Sequence, residues 1–162
     1  MKIVGTCRVV DALSEWGTHN TPWRAKRQVS DASEGADFAL TYYSQLVCGI
    51  LALSPFGCLR GEISAEDIPL LRLYDGTLAE EWATKIQSRH YVRAMVDADR
   101  EVVGPLTCVC KGDATSDGLQ FSPPFVIFDG WNRMAAWIQH GKEGKTYSIA
   151  ANVILTKSRV SH

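Results

Sequence analysis

The residues best placed to do chemistry lie where a strongly apolar run ends in a polar turn. The run Phe125–Phe128 is followed by Asp129 and Gly130, and a helical pattern begins at Trp131. The first backbone N–H groups of a helix have no partner within the helix, and the helix dipole favours negative charge there. A glycine at this position lets a ligand approach the backbone. The junction therefore predicts a site for an anion, and for phosphate above all.

Side chains of the same turn supply the polar groups that phosphate chemistry needs. Arg133 falls one turn into the predicted helix, from where its guanidinium can fork around a phosphate. Asn132 offers a donor and an acceptor, while Asp129 can cap the helix or position a cation or a water molecule. We predict phosphate or nucleotide binding at Gly130, Trp131, Asn132 and Arg133, with Asp129, Asn132 and Arg133 as catalytic candidates. A capped helix with an exposed arginine is the structural alternative.

A basic helix face is the second candidate site. The chain has 17 Lys and Arg against 18 Asp and Glu, a net charge of -1, so DNA binding would need a local cluster. We predict DNA contacts at Arg89, His90 and Arg93, on a face that we expect beside the Gly130 turn. A solvated helix face is the alternative, and the loop cluster of Arg24, Lys26 and Arg27 is the competing basic patch.

The patterns along the chain predict the elements that would hold these sites. An N-terminal extension, residues 1–61, contains a strand, a basic loop and an apolar helix, and residues 62–162 form the core of what we expect to be one structural domain. The interpreted elements are a strand at Ile3–Val10, a loop to residue 36, a helix at Asp37–Leu53, one helix or two short ones over 78–98, strands at Leu106–Val109 and Phe125–Phe128 around a polar turn at Lys111–Gln120, a helix at Trp131–His140 and a strand at Ile149–Leu155.

This order of elements resembles the ParB/sulfiredoxin-fold superfamily. In that superfamily a strand ends in a D-G-x-x-R turn, matched here by Asp129, Gly130 and Arg133, and enters an alanine-rich helix. Upstream, Gly104–Val109 looks like the family's G-x-P-I-x-V strand, and Leu78–Glu81 looks like the start of its preceding helix. The resemblance covers residues 62–157. It implies an α+β fold, a ParB/sulfiredoxin-like mixed sheet with flanking helices, to which this chain adds an N-terminal helical extension.

The same resemblance implies phosphate binding at the turn, with hydrolysis in some members. Sulfiredoxins carry a catalytic cysteine where this chain has Trp131 and Asn132, and partition proteins carry paired arginines and a helix-turn-helix domain. The chain looks most like compact fertility-inhibition members. That likeness implies an ATPase and DNase effector, with ATP as substrate and Mg²⁺ as cofactor, that inhibits plasmid or T-DNA transfer. Its expected partners are nucleotide, DNA and a component of a type IV secretion system.

Two other function classes stay open on the residues alone. The turn could hold a nucleotide or DNA without turnover, as a binding module, or the domain could be purely structural. Hydrolysis requires a second polar group near the turn, for which the candidates are Glu62, Glu81 and His90.

Composition limits these choices. Of the 162 residues, 46% are hydrophobic and 22% charged, as is usual for one folded soluble domain. The five cysteines are odd in number, scattered and without a CxxC pair, so we expect reduced structural thiols and no metal site. Cys108 and Cys110 should share one strand face.

The uncharged segment Phe38–Leu59 has about the ~20 residues that span a bilayer. Its serines, glutamine and proline favour a buried helix, so we expect no integral membrane span. Residues Met1–Val10 show no secretory signal. We expect a cytoplasmic bacterial protein, with peripheral contact at the inner membrane as the alternative. Trp131 and Trp137 should be at least partly buried.

Overall fold

A computed structural model describes residues 1–24, 39, 41 and 43–161 of the chain. The expected loop cluster with Lys26 and Arg27 lies outside the described residues.

The described residues form a six-stranded mixed sheet with helices, which confirms the predicted α+β class. The strand order is β1-β2-β6-β4-β5-β3, with β4 parallel to β6 and β3 parallel to β5. The strands are β1 (Lys2–Cys7), β2 (Pro55–Ile63), β3 (Leu71–Leu73), β4 (Leu106–Thr115), β5 (Gly118–Asp129) and β6 (Ile149–Thr156). The helices are α1 (Val9–Arg24), α2 (Ser44–Ala52), α3 (Ala79–Ile86), α4 (His90–Asp97) and α5 (Trp131–Lys142), with a 3-10 helix at Ala65–Leu70.

Apolar cores cover both faces of the sheet. On one face α3, α4 and α5 pack over a core that includes Ile127, Met134 and Trp137. On the other face α1 and α2 pack over a core that includes Val126 and Phe128. Successive β5 residues thus enter opposite cores, which explains why Phe125–Phe128 is apolar at every position.

The segment after β1 differs from its interpretation as a loop. Residues Val9–Arg24 form α1, and β1 ends at Cys7 instead of Val10. Ala12, Leu13 and Trp16 recur at helical spacing and are buried against the sheet, with Trp16 only 1% exposed. The loop interpretation was wrong because the polar residues between these positions concealed the apolar stripe.

The sequence interpretation also missed β2. The described residues show the apolar helix at Ser44–Ala52, so it ends before Pro55. Pro55 also begins a strand that is paired with β6 as far as Ile63. This strand lies between β1 and β6 and crosses the boundary that we placed between residues 61 and 62. Gly57 and Gly61 interrupt the alternating pattern of apolar and polar side chains by which a strand is usually recognised in a sequence.

Two further segments refine the expected elements. The polar stretch Lys111–Gln120 is mostly strand, since β4 continues to Thr115 and β5 begins at Gly118. An antiparallel ribbon can carry polar residues on both faces where no helix covers it. The region 78–98 contains two short helices, which was one of the two forms that we expected. None of the described helices is both long and apolar enough to cross a membrane.

A buried histidine joins α5 to its neighbours. His140 is fully buried, and its Nε2 lies 3.0 Å from the Val96 carbonyl oxygen, which can only accept. Nε2 therefore carries the proton, and Nδ1 accepts from the Tyr147 hydroxyl at 2.6 Å. The Trp137 indole N–H donates to the Tyr147 carbonyl at 2.8 Å. Cys108 and Cys110 are both buried in the core under α5, on one strand face as predicted.

We predict that Trp137→Ala destabilises the protein by about 3–5 kcal/mol, because it removes a large buried aromatic and leaves a cavity. Trp137 is 3% exposed. The free energy of unfolding is measured by urea denaturation. The control is Val103→Ala, at a side chain that is 72% exposed, where we expect a change within about 0.5 kcal/mol. Equal stability of the two variants would contradict the packing of α5.

Candidate functional site

The Gly130 turn is closed by packing on its backbone. Gly130 has a φ of 94°, in the left-handed region that glycine adopts without strain. A Cβ built there would lie 2.5 Å from Leu106 Cδ2 and 3.1 Å from Arg133 Nη2. The space that we assigned to an approaching ligand is therefore occupied by the protein's own side chains.

Arg133 makes internal contacts. Its Nη2 donates to Asp129 Oδ2 at 2.9 Å, and its Nη1 donates to the Pro105 carbonyl at 2.8 Å. The two paired side chains are only 12% and 11% exposed. Burial lowers the pKa of Arg133, and the adjacent Asp129 carboxylate opposes that shift. The guanidinium thus ties the end of β5 and the start of α5 to the segment that enters β4.

This ion pair changes what the turn can do chemically. The charges of Asp129 and Arg133 compensate each other, so a phosphate at the turn would compete with a carboxylate already in place. Asn132 is exposed on the first turn of α5, and Trp131 is half-buried. The structure therefore brings all the predicted phosphate-binding and catalytic residues together, and two of them, Asp129 and Arg133, form an ion pair.

An aromatic surface lies directly beside the turn. We name Tyr74, Trp82 and Trp131 the aromatic shelf. The rings of Tyr74 and Trp131 stack with centroids 5.2 Å apart and an interplanar angle of 24°, and Trp82 meets Trp131 edge-on at 6.2 Å. The Trp131 indole N–H donates to the Ile127 carbonyl at 2.9 Å, which fixes its ring. Tyr74 is 44% exposed, so the shelf is partly open to solvent.

Two cations from α3 and the residues after it lie on the shelf. Lys85 Nζ is 5.9 Å from the Trp82 ring centroid, and Arg89 Cζ is 5.1 Å from it. Both distances fall within the ~6 Å range of cation–π contacts. Arg89 is therefore linked to Trp131, the residue after Gly130, through the ring of Trp82.

The other two predicted DNA-binding residues have contacts within α4. Arg93 pairs with Asp97 at 2.6 Å, and the His90 ring packs edge-on against Tyr91 at 5.7 Å. An acid directly follows Tyr74 of the shelf: the pKa of Asp75 is lowered mainly by the hydrogen bond from the Thr77 backbone N–H.

The candidates for a second catalytic group are dispersed. Glu62 lies on β2, which β6 and β4 separate from β5, a distance of roughly 14 Å at ~4.8 Å per strand. Glu81 precedes Trp82 on α3, and His90 begins α4. Across the described part of the chain, no group of three His, Cys, Asp or Glu side chains is placed to hold a metal ion.

Sequence reasoning missed the shelf. Leu78, Trp82 and Ile86 recur at a spacing of four, which is typical of a buried helix stripe, yet of these three only Ile86 is buried, at 1% exposure, and Leu78 is 43% exposed. The available signal was Lys85, three positions beyond Trp82 and so on the same side of the helix. Arg89 lies after the end of α3 at Ile86, and only the tertiary structure places it over Trp82.

Fold and surface together define an α+β protein with a basic aromatic shelf at one strand-to-helix junction. Comparisons of the chain with protein-family models, with curated proteins and with solved structures find no match. The resemblance to the ParB/sulfiredoxin superfamily therefore stays a prediction.

We predict that Gly130→Ala destabilises the protein more than Gly144→Ala. Both glycines have positive φ, but a Cβ at Gly144 meets nothing within 4 Å. Gly144→Ala should cost about 1–2 kcal/mol for the backbone alone. Gly130→Ala should cost about 1–3 kcal/mol more, because the new methyl overpacks against Leu106 and Arg133. Urea denaturation of both variants measures the difference, and equal costs would mean that the turn is open.

Proposed function

We propose that this chain is a DNA-binding protein that holds single-stranded DNA on the aromatic shelf. The observation that supports the proposal is the exposed stack of Tyr74 on Trp131, with Lys85 and Arg89 over the adjoining Trp82. Exposed aromatic rings bordered by cations are the usual means by which proteins bind single strands without reading their sequence.

The stacking contribution is large enough to matter. Base–aromatic stacking contributes about 1–3 kcal/mol per base, and every base has a face that can stack. The exposed ring of Tyr74 offers such a face, and its partner Trp131 is fixed by a hydrogen bond to the sheet. A base can therefore stack without the protein first ordering the side chains beneath it.

The electrostatic contribution is local. With a net charge of -1, the chain as a whole does not attract a polyanion. Lys85 and Arg89 provide two positive charges at the shelf, which is enough for about two phosphate contacts. Since each contact to a single strand contributes about 0.7 to the salt slope, the expected slope is shallow.

Turnover is a further part of the proposal. Hydrolysis of ATP or DNA with Mg²⁺ would use Asp129, Asn132 and Arg133. Inhibition of plasmid transfer through a type IV secretion component would depend on this hydrolysis. In the structure Asp129 and Arg133 bind each other, so hydrolysis requires the incoming phosphate to displace Asp129 from the guanidinium. The DNA-binding proposal does not depend on that step.

We predict that Lys85→Ala/Arg89→Ala weakens binding of a fluorescent oligothymidine and reduces the salt slope by about one to two units. The control variant Lys111→Ala/Lys157→Ala removes the same charge from exposed side chains of another region and should leave the slope unchanged. Fluorescence anisotropy across a salt series gives both quantities.

Tyr74→Ala should weaken oligothymidine binding by about 1–3 kcal/mol, roughly 5- to 150-fold, whereas Tyr74→Phe keeps the stacking face and should bind normally. The shelf proposal fails if Tyr74→Ala leaves binding unchanged and Lys85→Ala/Arg89→Ala weakens it no more than Lys111→Ala/Lys157→Ala does. The DNA would then be bound by non-specific electrostatic attraction.

For turnover, we predict phosphate release from ATP or nicking of plasmid DNA with Mg²⁺ that is lost in Arg133→Ala. Because this variant removes the guanidinium that pairs with the buried Asp129 carboxylate, folding is checked in parallel by circular dichroism. Activity that persists in a folded Arg133→Ala protein would place the chemistry at another site or in a contaminant.

A further inference from the structure

A pair of cysteines faces each other at the opposite side of the sheet from the shelf. Cys7 on β1 is the direct antiparallel partner of Cys58 on β2. Directly opposed residues of antiparallel strands have Cα atoms about 4.5–5.5 Å apart, within the range that a disulfide spans. The two Sγ atoms lie 2.7 Å apart, so a bond between them requires only a small side-chain movement.

We propose that Cys7 and Cys58 form a dithiol site that reacts with low-molecular-weight disulfides and closes to an intramolecular disulfide. The expectation that all five cysteines are only structural would then be wrong for this pair.

The surroundings give the two thiols different roles. Cys7 is partly exposed, while Cys58 is 1% exposed among the side chains under α1. The hydrogen bond with Cys58 is the main cause that lowers the pKa of Cys7. Burial raises this pKa, Arg60 lowers it, and the carboxylates of Glu15 and Asp11 raise it, with a net lowering. The same hydrogen bond and burial raise the pKa of Cys58. Cys7 is thus the attacking thiolate, and Cys58 is the resolving thiol.

Arg60 is held beside the pair by a partly exposed polar network. Its Nη2 pairs with Glu15 Oε1 of α1 at 2.5 Å, and Glu15 Oε2 accepts from Asn152 Nδ2 at 2.7 Å. Asn152 is 1% exposed on β6. The network places Arg60 near Cys7, and the cation favours the thiolate there, while the Glu15 carboxylate of the same network opposes that effect.

The reaction balances without any other redox partner. The Cys7 thiolate attacks one sulfur of a small disulfide, the S–S bond breaks, and one small thiolate leaves. Cys58 then attacks Cys7 Sγ in the mixed disulfide, and its proton passes to the second departing thiolate. The two cysteines are oxidised to one disulfide, and the small disulfide is reduced to two thiols.

The remaining cysteines provide internal references. Cys108 and Cys110 are buried, and burial raises the pKa of Cys110 to about 12, so both should resist modification in the folded protein. Cys48 is exposed and would react without a partner, and we therefore replace it by serine.

The experiment incubates the full-length Cys48→Ser protein with glutathione disulfide and maps the product by mass spectrometry under non-reducing conditions. We expect a loss of two hydrogens, a peptide that links Cys7 to Cys58, and unmodified Cys108 and Cys110. When Cys58→Ser is combined with Cys48→Ser, the protein should retain one glutathionyl group on Cys7. When Cys7→Ser is combined with Cys48→Ser, the protein should react with glutathione disulfide at least tenfold more slowly.

The oxidised protein should also melt roughly 5–15 °C higher, because the new bond constrains the chain between β1 and β2 in the unfolded state. Dithiothreitol should reverse the shift. The proposal is overturned if the oxidised protein contains no peptide linking Cys7 to Cys58, or if Cys58→Ser takes up glutathione no faster than Cys7→Ser. The mapping of the Cys48→Ser protein decides the first outcome even if either added variant fails to fold.

Discussion

The buried ion pair between Asp129 and Arg133 is the interaction on which the arrangement of the site depends. It closes the junction between β5 and α5, and the second arm of the guanidinium holds the Pro105 carbonyl at the entrance to β4. Since a buried charge without its partner is very costly, the pair specifies one geometry for three elements. That geometry places Trp131 at the start of α5, where its ring becomes the centre of the shelf.

The two faces of the sheet carry different chemistry. On the face of α3, α4 and α5, Asp129 and Arg133 are paired with each other, and the aromatic shelf with Lys85 and Arg89 is the proposed contact surface. On the face of α1 and α2, a cation and two thiols lie between a mostly apolar core and the edge strand β1. The proposed DNA contact and the proposed thiol chemistry therefore occupy different layers and can be tested independently.

The sequence indicated the candidate turn better than its function. The types and spacing of Asp129, Gly130 and Arg133 located the junction, because a strand followed by a glycine turn and a helix is specified by residues close together in the sequence. Whether an arginine binds phosphate or a neighbouring carboxylate depends on what surrounds it. In this structure Arg133 binds the buried carboxylate of Asp129 at hydrogen-bond distance, and the four-residue spacing alone does not distinguish such an internal pair from an open guanidinium.

By itself, the sequence determined the α+β class, the doubly covered β5 and the helix that follows it, because hydrophobic periodicity reports which side of an element is buried. It did not determine α1 or β2, whose patterns are broken by polar residues and glycines. Only the tertiary structure placed Trp82 beside Trp131 and Cys7 opposite Cys58. These contacts join residues far apart in the chain, and strand order, strand register and helix packing bring them together, none of which local spacing encodes.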